Sequence, residues 1–487
     1  MLHKPSSLRS AVPRAARPIA RPRRARHWVA DGRFAAIPAL LVFGMFYYMS
    51  IREKLFATEV EANAFDPNPN PYYRTIKILL LLSASGLVVW RYALAGLVLR
   101  RLNIFLLAFY CLVALSLTWS ITPASTLLRL VAITNVFLVG CAFTLVSWHD
   151  RRFQNVMRTI LTVMLVACLI FGLLAPDLAK ETGDSLSLKD AWRGMFTQKN
   201  QFGEVASLGV IFWVHGWLSK EIKFIRLLAG GGLAVVCLVL SRSSTSLLST
   251  VFVVLLLLLM LRLPGKRHRY TKYLVMAFVA ALLLYSLATL NLVPQLDFLL
   301  SPITAITGKD ATFSGRSLIW NIIRERIADH PLLGTGYGAF WVNEQPSSPS
   351  YYTLKLLYRI PNESHNGYLD VINDLGLVGL GCLVGYVTVF MRQCLALLKI
   401  DFAQATLYLA LLFQQLIGNL TESMWFQSTT FAFGMMTVAT FAVARARVQQ
   451  QLQGEPSRPP PAAPAPVHAI ERGRALPIPS RVRARRR

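Results

Sequence analysis

His365 stands in Pro361-Asn-Glu-Ser-His-Asn-Gly367, directly before an apolar run whose first turns carry Asp370, Asn373 and Asp374. An imidazole titrates near neutrality and can take a proton from a poor nucleophile. Carboxylates beside it suggest a wet cleft rather than hydrocarbon. Arg242 lies in a tight turn among Ser241, Ser243, Ser244 and Thr245, with apolar runs on both sides. A guanidinium held there is rigid enough to grip two oxygens of an anion. Arg316 follows Ser314-Gly315 and opens an amphipathic helix, so its charge is joined by free backbone N–H groups in a phosphate-binding arrangement. Arg193, Lys199 and Asn200, in Trp192-Arg-Gly-Met-Phe-Thr-Gln-Lys-Asn200, add positive charge and an amide before another helix.

Each residue has a plainer reading. His330, in Ile327-Ala-Asp-His-Pro331, suits a helix C-terminus. Asn362 or Ser364 can cap the helix that follows, and a single Arg or Lys can snorkel to lipid headgroups. Four cations on one face beside His365 favour an anion site next to a base. Leu333-Gly-Thr-Gly-Tyr-Gly338 has close glycines but no Walker Lys and no preceding strand, so it reads as a turn packing a loop against the bundle. HExxH, GxSxG and paired-Cys motifs do not occur, and no metal or cofactor is expected. The six cysteines lie in or beside apolar runs as small buried hydrophobes.

The elements that must position these residues are membrane helices. The chain is 54% hydrophobic and 15% charged over 487 residues, with mean hydropathy +0.46. That composition excludes a soluble multidomain enzyme. A crossing needs roughly 20 mostly apolar residues, and about twelve candidate runs lie between Phe34 and Ala444. The expected fold is an all-α polytopic membrane protein with one large periplasmic loop, about 293–367, that contains short helices.

Of the 51 Lys and Arg residues, 19 fall in two tails, Met1 to Arg33 and Arg445 to Arg487. The first is a basic cytoplasmic tail; the second is basic, Pro/Ala-rich and disordered beyond Gln449. With both tails inside, every short inner loop carries Lys or Arg and the short outer loops around 121–124 and 418–427 carry none. The basic runs lack interleaved aromatics, so anionic lipid, and not nucleic acid, is their expected partner.

Phe196-Thr-Gln-Lys-Asn200, Ser241-Arg-Ser-Ser-Thr245, Ser314-Gly-Arg-Ser317 with Trp320, His330-Pro-Leu-Leu-Gly-Thr-Gly336 and Ser364-His-Asn-Gly-Tyr368 with Gly376 and Gly379 occur in that order. The combination resembles the O-antigen ligase and Wzy-type polymerase superfamily, with its nearest likeness to exopolysaccharide polymerases of the ExoQ type. The resemblance covers roughly Phe34 to Ala444. It implies a metal-independent, inverting glycosyltransferase of the bacterial inner membrane that takes glycan from an undecaprenyl diphosphate-linked donor on the periplasmic face. It further implies that His365 deprotonates the acceptor hydroxyl, that Arg242 and Arg316 hold the diphosphate, and that Lys199 belongs to the same site. Arg193, Asn200, His330, Asn366 and Asp370 are supporting candidates. A chain-length regulator and a flippase of the same pathway are expected partners.

Polymerisation extends one lipid-linked repeat with another; ligation moves a finished glycan to lipid A core or protein. Both would use the same residues. A transporter or flippase would place ionisable groups along a path through several helices, whereas here they gather on one expected face. Glu59, Glu61 and Asp66 do not form the paired acids expected of a dolichol-mannose type of transferase.

Overall fold

A computed structural model describes residues 36–50, 71–146, 148, 151–181, 190–262, 270, 273, 275–278, 280, 284, 316–342, 363–428 and 430–454. Both basic tails up to residue 35 and from residue 455, most of the 271–292 run, Ser314, Gly315 and residues 343–362 of the long loop lie outside these. The chain divides into a compact unit, Met1–Val448, and a second, Gln449–Arg487, in which 449–454 complete the last helix.

The described residues are helical and form no strand beyond an isolated bridge between Lys180 and Trp192. In chain order the helices are α1 (Ala36–Ser50), α2 (Pro71–Trp90), α3 (Tyr92–Leu99), α4 (Ile104–Leu115), α5 (Pro123–Val146), α6 (Arg152–Leu174), α7 (Lys199–Leu218), α8 (Phe224–Leu240), α9 (Ser244–Arg262), α10 (Arg316–Asp329), α11 (Gly367–Leu397), α12 (Phe402–Gly418) and α13 (Phe431–Gly454). A single helical turn, Pro176–Ala179, follows α6. Polar residues set several starts: Asn103 accepts from the Phe105 N–H, Asn366 from the Tyr368 and Leu369 N–H groups, and Asp401 from the Gln404 N–H.

Helices α5, α6, α9, α11 and α13 are long and apolar enough to cross a membrane, and α2 with α3, bent by 92°, would make a sixth crossing. Helix α4 with its 3₁₀ extension, α8 and α12 are apolar but shorter. The expected apolar runs are helical wherever described, but length and apolarity alone single out fewer crossings than the expected twelve. The reason is visible in the elements: α1 has 15 residues, and α7 carries Lys199, Glu204 and His215 among its 20. Broad apolar faces look outward, such as Val235, Val236 and Val239 on α8 and Leu247, Leu248, Val251 and Leu255 on α9. In a bilayer such faces need no protein partner. The chain is a multi-pass membrane protein.

Helix α7 packs against α6, α8, α9 and α12, while α11 packs against α4, α10 and α12. Helix α11 is not straight. Gly376 takes φ 64°, ψ −161°, a left-handed break that glycine tolerates. Residues 333–338 seat in that break: the Thr335 and Gly336 N–H groups donate to the Asn373 and Asp374 carbonyls at 2.9 Å, and the Gly338 N–H donates to Asp374 Oδ2 at 2.9 Å. The close glycines are therefore a turn docked on the bundle.

Candidate active site

Glu422, between α12 and α13, is where the candidate residues meet. Its Oε1 accepts from Asn200 Nδ2 at 2.7 Å and from Arg316 Nη2 at 3.3 Å, and its Oε2 lies 3.3 Å from His365 Nδ1. Glu363 approaches the same ring nitrogen, its Oε1 3.2 Å away. One carboxylate thus ties the first turn of α7, the first residue of α10 and the loop before α11 together. Next to it, Arg316 Nη1 donates to the Thr421 carbonyl at 2.7 Å. Thr421 Oγ1 in turn meets Thr245 Oγ1 at 3.1 Å, joining the α8–α9 turn that bears Arg242.

The local fold explains these placements. The buried Asn419 side chain accepts from the Met424 and Trp425 N–H groups at 2.9 and 2.7 Å, which curls 419–425 back on itself. The Gly367 N–H donates to the Asn419 and Glu422 carbonyls at 3.0 and 3.1 Å, and a side chain at residue 367 would overlap Asn419 Oδ1. Ser364 is buried, its N–H donating to Asp370 Oδ2 at 3.1 Å and its carbonyl accepting from Trp320 Nε1 at 3.0 Å. Between these anchors His365 adopts φ 55°, and Arg242 takes φ 48° in its turn. Left-handed backbone at non-glycine residues costs of the order of 1 to 3 kcal/mol and persists only where the surroundings enforce it.

Burial works against a charged imidazole, yet the two facing carboxylates outweigh it and push His365 up to about 10. The partners respond in opposite directions. Burial raises Glu363 despite its contact with His365. Burial would raise Glu422 too, but His365 and then Arg316 bring it below the usual carboxylate range. His365 thus sits between two unlike carboxylates, one pushed toward its ionised form and one pushed away from it. Glu363, His365 and Glu422 offer donor atoms within 4.8 Å of one another, the composition of a cation site. Arg316 and Asn200 already occupy one oxygen of Glu422, which sets a guanidinium's charge against this cluster.

His365, Arg316 and Asn200 are brought together, with Arg242 on a turn joined to them through Thr245. Asn366 serves as the cap of α11. Lys199 heads α7, its N–H donating to Glu181 Oε1 at 2.6 Å. Other expectations change. Arg193 is buried, donating to the Leu178 carbonyl and lying 3.8 Å from Glu181, so it braces the 178–193 segment. His330 is exposed past the far end of α10, about 20 Å along a 14-residue helix from Arg316, and is not brought to the cluster. Asp370 and Asp374 do not line a wet cleft: both are buried, Asp370 accepting from Trp341 Nε1 at 3.0 Å and Asp374 from the Gly338 N–H. They position loops.

Glu422 and Glu363 were missed as site residues. A signal existed for Glu422: it is the lone acid between Asp401 and Glu455, in a short segment between apolar runs.

Residues 229–384 match the family model described as O-Antigen ligase. The chain is 29% identical over 308 residues to the exopolysaccharide production protein ExoQ of Rhizobium meliloti (strain 1021), covering 61% of this chain and 67% of that one. It is also 24% identical over 111 residues to a protein of Rickettsia bellii (strain RML369-C) named "Putative polysaccharide ligase", covering 23% of this chain and 27% of the other. The family match takes in Arg242, Arg316, Glu363 and His365, begins after Asn200 and ends before Glu422.

Proposed function

We propose that this chain, related to the O-antigen ligase family and to an ExoQ-type protein, is a membrane glycosyltransferase that polymerises lipid-linked glycan. The donor is an oligosaccharide on undecaprenyl diphosphate and the acceptor is a sugar hydroxyl of a second lipid-linked repeat. The observation that carries this reading is the meeting of an imidazole and a guanidinium on Glu422, 3.3 Å from each. A group-transfer site of this kind needs a base for the nucleophile and fixed cations for a leaving diphosphate.

His365 turns Nδ1 to the carboxylates, which leaves Nε2 of the neutral ring to receive the hydroxyl proton. A positioned base gives about 10² to 10⁴ in rate. Arg316 uses two of its donors on Thr421 and Glu422, and a guanidinium carries five. The remaining donors, with Arg242 and the charge of Lys199, suit a diphosphate whose negative charge grows as the glycosidic bond breaks. No nucleotide is consumed, because the donor arrives activated. Inversion at the anomeric carbon follows from a single displacement.

In this reading the protein lies in the bacterial inner membrane with both termini cytoplasmic and the site periplasmic. A flippase supplies the repeats and a chain-length regulator acts beside it. His365→Ala tests the proposal in cells: the protein should remain at wild-type abundance, polymer should vanish and lipid-linked single repeats should accumulate. Polymer of normal length in that variant would remove His365 from the mechanism.

Ligation is the second reading, favoured by the family description and by the Rickettsia bellii relative's name. It would leave the same residues in the same roles and attach a finished glycan to lipid A core or protein. The acceptor found on the product separates the two.

A further inference from the structure

Two carboxylates face one nitrogen of His365, where a single one would suffice to orient the ring. Their surroundings differ. Glu422 has its other oxygen fixed by Asn200 and Arg316, and its side chain is 10% exposed. Glu363 is 24% exposed, more than the 19% of His365 itself. It is the member of the cluster with most access to water.

We propose that the two acids divide the work behind His365: Glu422 fixes the ring and Arg316, while Glu363 accepts the Nδ1 proton when the acceptor's proton reaches Nε2. Both are positioning residues, since they act through His365. The inference rests on the reading of His365 as the base.

The step balances. The acceptor O–H bond breaks and its proton goes to Nε2. The freed oxygen bonds to the anomeric carbon, whose bond to the diphosphate oxygen breaks, the electron pair leaving with the diphosphate. The Nδ1–H bond breaks and its proton leaves the hydrogen bond to Glu422 Oε2 for Glu363 Oε1, 3.2 Å from the same nitrogen, and goes from there to water. Arg316 cannot take that proton, and Glu422 is kept ionised by it.

The charged groups around the ring all enter its titration. Glu363 and Glu422 touch it, and Arg316 faces it across Glu422. Asp370 on α11 acts on Glu363, and Glu204 on α7 interacts with both glutamates. Lys199 and Arg242 stand on the adjoining α7 and α8–α9 turn. The neutral ring that receives the proton forms as pH rises through the His365 midpoint, so transfer climbs with pH on the alkaline side. Removing one carboxylate lowers that midpoint.

The test uses the full chain in proteoliposomes, with Glu363→Gln, Glu363→Asp, Glu422→Gln and His365→Ala. Hydrogen–deuterium exchange at the imidazole C2 carbon, read by mass spectrometry on the His365 peptide, gives the midpoint without any assay of transfer. The wild-type midpoint should lie near about 10. In Glu363→Gln it should fall by about one pH unit or more; kcat for glycan transfer, read on the alkaline plateau where the ring is neutral in both proteins, should drop about 10- to 100-fold with donor KM unchanged, and Glu363→Asp should restore most of it. Glu422→Gln should raise donor KM as well as lower kcat. An unshifted midpoint, a kcat within twofold of wild type, or a rise in donor KM in Glu363→Gln would overturn the division of labour. Wild-type transfer by His365→Ala would instead overturn the reading of the base, whatever the midpoint.

Discussion

At the residue scale, Glu422 is the side chain on which position and charge depend. Arg316→Lys keeps the charge but cannot span Thr421, Glu422 and an anion together. Its transfer rate should fall about 10- to 100-fold while protein abundance holds, and full activity would reduce Arg316 to a headgroup anchor. The ion pair also sets a pH window. His365 is raised from an ordinary 6.5 to about 10, so its contribution to stability is complete below about 6.5 and lost as pH climbs through about 10. Glu422 is lowered from 4.5, so its contribution is present above that value and lost in acid. Amide exchange protection of the 363–367 segment should therefore be greatest between about 4.5 and 6.5 and fall on both sides.

His365, Arg316, Arg242 and Asn200 were legible in the sequence because bases, guanidiniums and amides are few on the expected outer face. Glu422 was not, because a search for anion-binding groups passes over a carboxylate whose task is to hold cations. Its contacts span 57 and 106 residues of sequence to His365 and Arg316, and no local pattern records them.

At the element scale, the site depends on two loops curled against each other and on a broken helix beneath them. Gly367→Ala would drive a methyl into Asn419 Oδ1, the acceptor that shapes the 419–425 loop. Relieving that overlap should cost about 1 to 3 kcal/mol, read as a lowered Tm of the detergent-solubilised protein together with weakened transfer. Gly376→Ala meets two penalties, a left-handed φ and overlap with the Leu332 backbone. It should loosen the 333–338 turn from α11, exposing that turn to limited proteolysis that spares the wild type. The turn was foreseeable from its glycines; the kink that receives it was not, since nothing in Asn373-Asp-Leu-Gly-Leu-Val-Gly379 marks which glycine takes a positive φ. His330 shows the converse. Its type suited chemistry, but a helix of 14 residues carries it away from Arg316.

At the scale of the whole molecule, apolar runs located the helices but did not settle how many cross the membrane. Several described helices are short or carry a buried ionisable group, such as Glu204 in α7, and such elements are positioned by their neighbours and not by hydropathy alone. If the site faces the periplasm, a cysteine replacing Thr421 in the 419–430 loop should react with a membrane-impermeant maleimide added to spheroplasts. Labelling only after the membrane is permeabilised would reverse the orientation.

The most direct measurement supplies the purified chain in proteoliposomes with undecaprenyl diphosphate-linked repeats as both donor and acceptor, without nucleotide sugar. Lengthened glycan and one undecaprenyl diphosphate released per linkage formed are expected, with both lost in His365→Ala although the variant still binds donor. Undiminished elongation by His365→Ala, or no elongation by the wild type, would contradict the proposed function.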